Sequence, residues 1–71
     1  MSSDSRWVPL VEQYLVEQKH SWAWFSVKVR VAQVALSLAK RGQLRLKRPV
    51  QRRIARILGV RTSDLFGPEE P

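Results

Sequence analysis

The stretch SVKVRVAQVALSLAKRG, residues 26–42, decides the fold of this chain because its two halves favour different secondary structures. In the first half, three valines alternate with a lysine and an arginine, and this period of two is typical of a half-buried strand. The second half holds six apolar residues that suit a helix, followed by Lys-Arg-Gly, which commonly ends one. The stretch is therefore a strand, a helix, or two helices with a turn between them.

The composition around this stretch limits the classes of function. The chain has 71 residues, no cysteine and one histidine, so we expect one small domain without disulfides. For the same reason we expect no metal site built from cysteines or from a cluster of histidines. Without a Ser/His/Asp set or a glycine-rich phosphate loop, we expect no enzyme, no cofactor and no small-molecule substrate. No apolar run approaches the roughly 18 residues of a membrane span, and the N-terminus lacks the order of a signal peptide. These features predict a soluble, cytoplasmic protein with no membrane partner.

The charge of the chain is unevenly distributed. The net charge is +7, and no acidic residue falls between Gln18 and Ser63, a segment that holds twelve of the thirteen lysines and arginines. A chain that needed charge only for solubility would mix the two signs. A basic block flanked by acidic ends instead indicates a surface for a polyanion such as nucleic acid, although a solvated basic face is the alternative.

Helical patterns flank the opening stretch on both sides. Residues 7–20 have apolar positions three and four apart, with a proline in the first turn, and Ser21 can cap a following helix. Residues 49–58 begin with proline and are followed by Gly59, and Thr62 can cap a last turn before Gly67-Pro68. We expect a flexible N-terminus over residues 1–6, one domain over residues 7–67 and a tail over residues 68–71.

A helix-turn-helix unit accommodates the opening stretch best. Two short helices joined by a tight turn must pack face to face, which fixes where apolar and small side chains fall. Counted from Trp22, the fourth, fifth and eighth positions are Phe25, Ser26 and Val29, which suit that packing in size and polarity. After the turn, the inward positions hold Val31, Leu36 and Ala39. The valine alternation is then partly accidental, and the spacing favours two helices.

Two segments resemble the helix-turn-helix domains of the phage repressor/Cro and XRE family. The segment SWAWFSVKVRVAQVALSLAKRG is similar to the family's helix-turn-helix, and KRPVQRRIARILGVRTSDLFG, residues 47–67, is similar to its fourth and fifth helices. The resemblance covers residues 8–67 and implies an all-α fold: a compact, lambda-repressor-like bundle of about five short helices. It also implies a sequence-specific, double-stranded DNA-binding transcriptional regulator, a Cro/XRE-type repressor that acts as a homodimer.

The sequence departs from the family pattern at the turn and around it. Arg30 stands where the family has a turn glycine, and because a non-glycine residue in the left-handed conformation costs about 1 kcal/mol, we expect a differently shaped turn. Trp22 replaces a glutamine that touches phosphate in the family, and the loop after Gly42 is about two residues longer. A short β-hairpin that pairs residues 25–31 with residues 43–48 is the alternative structure.

The resemblance places the recognition helix at residues 32–41. Its outward side chains would contact bases: Gln33 by hydrogen bonds to adenine, Ser37 as donor or acceptor, and Val34 and Leu38 through thymine methyl groups. The alternative for these two aliphatic residues is a place in the core or in a subunit interface. We expect contacts with the DNA backbone from the polar, basic and aromatic residues around this helix: Ser21, Trp22, Lys28, Lys40, Arg41, Gln43, Arg45, Lys47 and Arg48.

Two other functions fit parts of the sequence. Three tryptophans beside a basic loop would suit a protein that stacks on the unpaired bases of single-stranded nucleic acid or RNA. An exposed apolar patch made of Val34, Leu38, Leu44 and Leu46 would suit an antitoxin or inhibitor that binds another protein. We expect one or two tryptophans in the core, and Trp24 against the first helix or in a subunit interface.

Overall fold

Five helices follow one another along the part of the chain that the structure, a computed structural model, describes, residues 6–67. They are α1 (Trp7–Gln18), α2 (Trp22–Val29), α3 (Gln33–Lys40), α4 (Arg48–Leu58) and α5 (Thr62–Phe66). No residue from 6 to 67 is in a strand, so the all-α prediction is confirmed and the β-hairpin alternative is wrong. The predictions for residues 1–5 and for the tail, 68–71, lie outside the described residues.

The first helix ends two residues before its predicted end. Lys19 adopts the left-handed conformation, with φ 59°, and its N–H group donates to the carbonyl oxygen of Val16. The next N–H group, that of His20, donates to the carbonyl oxygen of Leu15 at 2.9 Å. This pair of bonds satisfies the last carbonyls of the helix and turns the chain sharply. The turn places Ser21 at the start of α2, where its Oγ accepts a hydrogen bond from the N–H of Trp24.

The turn between α2 and α3 keeps a left-handed residue although the glycine is missing. Arg30 has φ 60° and ψ 47°, so our expectation of a differently shaped turn is wrong at this residue. The N–H group of Val31 donates to the carbonyl oxygen of Ser26 at 3.0 Å, which closes the turn. This local bonding and the packing of α2 on α3 together offset the modest cost of the left-handed backbone.

The inward positions predicted for the two middle helices form the centre of the core, except for Val31 in the turn, which is half-buried. Phe25, Val29, Leu36 and Ala39 are buried, and the buried Ser26 donates a hydrogen bond to the carbonyl oxygen of Ala23. The remaining buried apolar residues come from the other helices and the loop before α4: Trp7, Val11, Leu15, Leu46, Ile54, Ala55 and Leu65. The sequence therefore places one face of each of α2 and α3 in the core and leaves the other face exposed.

The last two helices pack on each other and close the bundle. Gly59 is left-handed at the end of α4, as predicted. Thr62 does not cap α5, because Arg61 has the extended backbone that a cap requires and Thr62 is already helical. In the first turn of α4, the buried Gln51 donates through Nε2 to the carbonyl oxygen of Leu46 at 2.9 Å and anchors the end of the preceding loop.

Candidate nucleic-acid interface

The outer face of α3 carries the four residues predicted to contact bases. Gln33, Val34 and Ser37 are exposed and Leu38 is half-buried, while Leu36 and Ala39 on the other side are in the core. With 74% of its surface exposed, Val34 is not a core residue, so the core alternative is wrong for it, while a place in a subunit interface stays a prediction. The structure thus brings the four side chains together on one surface of one helix.

The polar side chains on this face are free to bind another molecule. Neither Gln33 nor Ser37 makes a side-chain hydrogen bond within residues 6–67. The helix begins after Ala32, whose side chain offers no cap to the first N–H groups. The first turn of α3 therefore presents donors and acceptors of its own to an incoming ligand.

Two of the residues predicted to contact the DNA backbone, Trp22 and Lys40, lie against each other. The half-buried Trp22 ring makes edge contacts with Trp7 at 6.2 Å and Phe25 at 5.8 Å between ring centroids. The Nζ of Lys40 lies over the Trp22 ring, 4.1 Å from its centroid, which is cation–π geometry. Trp22 therefore links α1, α2 and α3, a structural role that the sequence pattern did not predict.

Trp24 takes part in a second stack on the outer side of α2. Its ring lies 3.7 Å from that of His20, with only 4° between the planes, and the Nζ of Lys28 is 5.6 Å from the ring centroid. His20 directly follows α1, so this stack joins the end of α1 to α2, which agrees with the prediction that Trp24 packs near the first helix. Lys28 remains exposed and can still reach a phosphate.

The loop between α3 and α4 supplies most of the exposed cations among the predicted contacts with the DNA backbone. Arg41, Gln43, Arg45 and Lys47 are exposed, whereas Arg48 is half-buried and donates to the carbonyl oxygen of Gly67 at 3.5 Å. In the same loop Leu46 is buried and Leu44 is 40% exposed, so the two leucines do not share one apolar face. Of the four residues of the predicted protein-binding patch, Leu46 is therefore lost to the core, while Val34 and Leu44 are exposed and Leu38 is half-buried.

One positioning contact was missed at the sequence level. Arg53 of α4 is half-buried, and its Nη1 donates to the carbonyl oxygen of Val29, the last residue of α2, at 3.2 Å. Arg53 lies in a row with Arg52 and Arg56, and such a row is typical of a solvent-exposed helix face. Val50 and Ile57, three residues before and four residues after Arg53, share its side of the helix and are the sequence signal that this arginine faces the bundle.

No acidic residue belongs to α2, α3 or the following loop, and Glu12 of α1 lines a pocket beside Ser21 and Trp22. The acidic residues of the described part, Glu12, Glu17 and Asp64, belong to α1 and α5 and are exposed. Within residues 6–67 no group of histidine, aspartate and glutamate side chains could hold a metal ion, and no helix is long and apolar enough to cross a membrane. Polyanions are thus the ligands that the charge of this surface favours.

The comparisons with known proteins add no relative. No protein-family model, no curated protein and no solved structure matches this chain.

Proposed function

We propose that this protein is a sequence-specific regulator of transcription that binds double-stranded DNA and inserts α3 into the major groove. One observation carries the proposal: α3 buries Leu36 and Ala39, exposes Gln33, Val34 and Ser37, and carries no acidic residue. The major groove of B-DNA is wide enough for one helix and displays a different pattern of groups for each base pair. Polar and apolar side chains on the outer face of one rigid helix suit that groove.

The cations around α3 supply the sequence-independent part of binding. Arg41, Arg45 and Lys47 are exposed in the segment that follows α3, and Lys28 is exposed on α2. Contacts from such residues to phosphates fix the orientation of a protein on the duplex and release counterions. Lys40 and Arg48 already contact Trp22 and Gly67, so we assign them a supporting role and expect the four exposed cations to contribute more.

We further propose that the protein binds DNA as a homodimer of the Cro/XRE type. A two-fold dimer presents two copies of α3, which contact half-sites about 34 Å apart, one helical turn of DNA. Footprinting would then show a symmetric pair of protected half-sites, and sedimentation would show a dimer on the DNA. A single asymmetric half-site occupied by a monomer would contradict the dimer proposal.

A protein that binds single strands through tryptophan stacking has less support. The Trp22 ring packs against Trp7, Phe25 and Lys40, and the Trp24 ring stacks on His20. Rings engaged in this way offer less surface to an unpaired base than a free aromatic platform. An antitoxin-like function, in which the chain binds a partner protein and also its own operator, is compatible with the DNA-binding proposal.

The test is selection of binding sites from a duplex pool with a randomised centre, followed by competition. We expect the pool to converge on one sequence, and the selected duplex to compete far better than a scrambled duplex or either separated strand. Failure of the pool to converge, or equal competition by the single strands, would refute the proposed function. Weak, salt-insensitive DNA binding with a co-purifying partner protein would favour a protein-interaction module instead.

A further inference from the structure

Val34 lies at the centre of the outer face of α3. In an α-helix successive residues are rotated by about 100°, so Val34 points almost directly away from the buried pair Leu36 and Ala39. The same rotation puts Gln33 at the edge of the face, on the side of α3 that also carries Lys40. The outermost side chain near the start of the helix is therefore an aliphatic one.

The neighbours of Val34 make an apolar row rather than an isolated residue. Leu38, one turn further along, lies beside Val34 on the helix surface and is half-buried. The nearest cation on this face is Arg41, seven residues on and therefore about 10 Å farther along the helix axis. No lysine, arginine, aspartate or glutamate side chain belongs to the first turn of α3, so the usual partners of guanine and cytosine are missing there.

The edges of the base pairs in the major groove offer one apolar group to such a row, the 5-methyl group of thymine. An isopropyl side chain neither donates nor accepts a hydrogen bond, so it gains most where it covers that methyl group and excludes water. Opposite a guanine or cytosine edge, Val34 would leave hydrogen-bonding groups desolvated and unpaired, which is unfavourable.

We propose that Val34 selects thymine at the base pair that faces the centre of α3, through contact of its side chain with the 5-methyl group. This inference rests on the proposed function and deepens it, because it names the base that the helix requires. It makes Val34, rather than Gln33, the main determinant of sequence at that position, with Leu38 covering the methyl group or sugar edge beside it.

The experiment uses the site selected from the randomised duplex pool and replaces its thymines by deoxyuridine one at a time. Each replacement deletes one methyl group and leaves base pairing and hydrogen-bonding groups unchanged. We expect one thymine in each half-site at which the deletion weakens binding about fourfold, the value that corresponds to one buried methyl group. Replacements elsewhere in the site should change the affinity by less than half of that factor.

Two variants show whether Val34 is responsible. In Val34→Ala the difference between thymine and uracil at that position should disappear, whereas in Gln33→Ala it should remain. Val27→Ala is the matched control, because Val27 is as exposed as Val34, 75% against 74%, but belongs to α2. It should retain the fourfold effect.

Three outcomes would overturn the inference, and one of them would also overturn the proposed function. A pool that fails to converge removes both. A converged site that tolerates uracil at every position, or one at which Val34→Ala keeps the full methyl effect, refutes the role of Val34 and leaves the DNA-binding proposal intact. Circular dichroism of Val34→Ala should match that of the parent chain, since Val34 is not in the core.

Discussion

The guanidinium group of Arg53, on α4, donates a hydrogen bond to the carbonyl oxygen of Val29, the last residue of α2, across 3.2 Å. The carbonyls at the end of a helix lack partners within the helix, and a cation there also interacts favourably with the helix dipole. Val29 immediately precedes Arg30, the left-handed residue of the turn. One side chain from α4 thus holds the turn that sets the direction of α3.

Removing this contact should destabilise the fold. Arg53→Met keeps most of the apolar stem and removes the donor, and we expect the free energy of unfolding to fall by about 1–2 kcal/mol. Arg56→Met is the matched control, because Arg56 is on the same helix and exposed, and it should change little. Urea denaturation measures both variants. Equal effects at the two positions would show that the Arg53 contact contributes nothing specific.

Glycine should be more stable than the present side chain at the two left-handed positions, Lys19 and Arg30. Both have φ near 60°, where a side chain costs about 1 kcal/mol and glycine costs nothing. We therefore expect Arg30→Gly and Lys19→Gly each to raise the midpoint of thermal unfolding by a few degrees. A lower midpoint for Arg30→Gly would mean that its side chain makes a stabilising contact that outweighs the backbone strain.

Ser21 caps α2 and is also predicted to contact the DNA backbone, and substitutions can separate the two roles. Its Oγ accepts from the N–H of Trp24 at 3.2 Å, so Ser21→Ala should lower the free energy of unfolding by about 1 kcal/mol. Ser21→Asp should keep the cap and the stability, since aspartate is an equally good cap.

If Ser21 also lies beside a phosphate, as the sequence predicts, then Ser21→Asp should bind duplex DNA more weakly through charge repulsion. Denaturation and DNA titration of the same samples separate the two effects. Unchanged DNA affinity in Ser21→Asp would remove this residue from the interface.

The two middle helices and the turn between them could be predicted because their requirements are local in sequence. The spacing of Phe25, Ser26, Val29, Leu36 and Ala39 follows from helix periodicity alone, and all five are buried. Helix ends were predicted within two residues. Gly59, which ends α4, was predicted from the general preference of glycine for left-handed positions.

The features that the sequence did not predict either join residues distant in sequence or depend on which of two neighbouring residues takes a given backbone conformation. The Arg53 to Val29 bond spans 24 positions, and no periodic pattern within α4 identifies which arginine reaches α2. Arg30 keeps the left-handed turn because packing of two helices outweighs a cost of about 1 kcal/mol, a balance that a sequence does not display. Thr62 has a good cap side chain, but Arg61 takes the extended backbone one residue earlier.

Salt dependence should distinguish cations in the proposed interface from those outside it. With about five phosphate contacts, the slope of log affinity against log salt should be near −4 to −5, and Arg45→Ala should reduce it by about one. Arg56→Ala, at an exposed position on α4, should leave the slope unchanged. Fluorescence anisotropy with labelled duplex at several salt concentrations gives the slopes. A parent slope shallower than about −2 would contradict the basic surface as a DNA footprint.

The most direct test of the account maps which surface meets DNA. Two-dimensional NMR of the labelled protein, titrated with the selected duplex, reports each backbone amide separately. We predict the largest shift changes at Gln33, Val34, Ser37 and Leu38 and in the loop at residues 41–47, with little change at Leu10 and Gln13 on the exposed side of α1. Largest changes on α1, or around the Trp24 and His20 stack, with α3 unaffected, would contradict the claim that α3 contacts the bases.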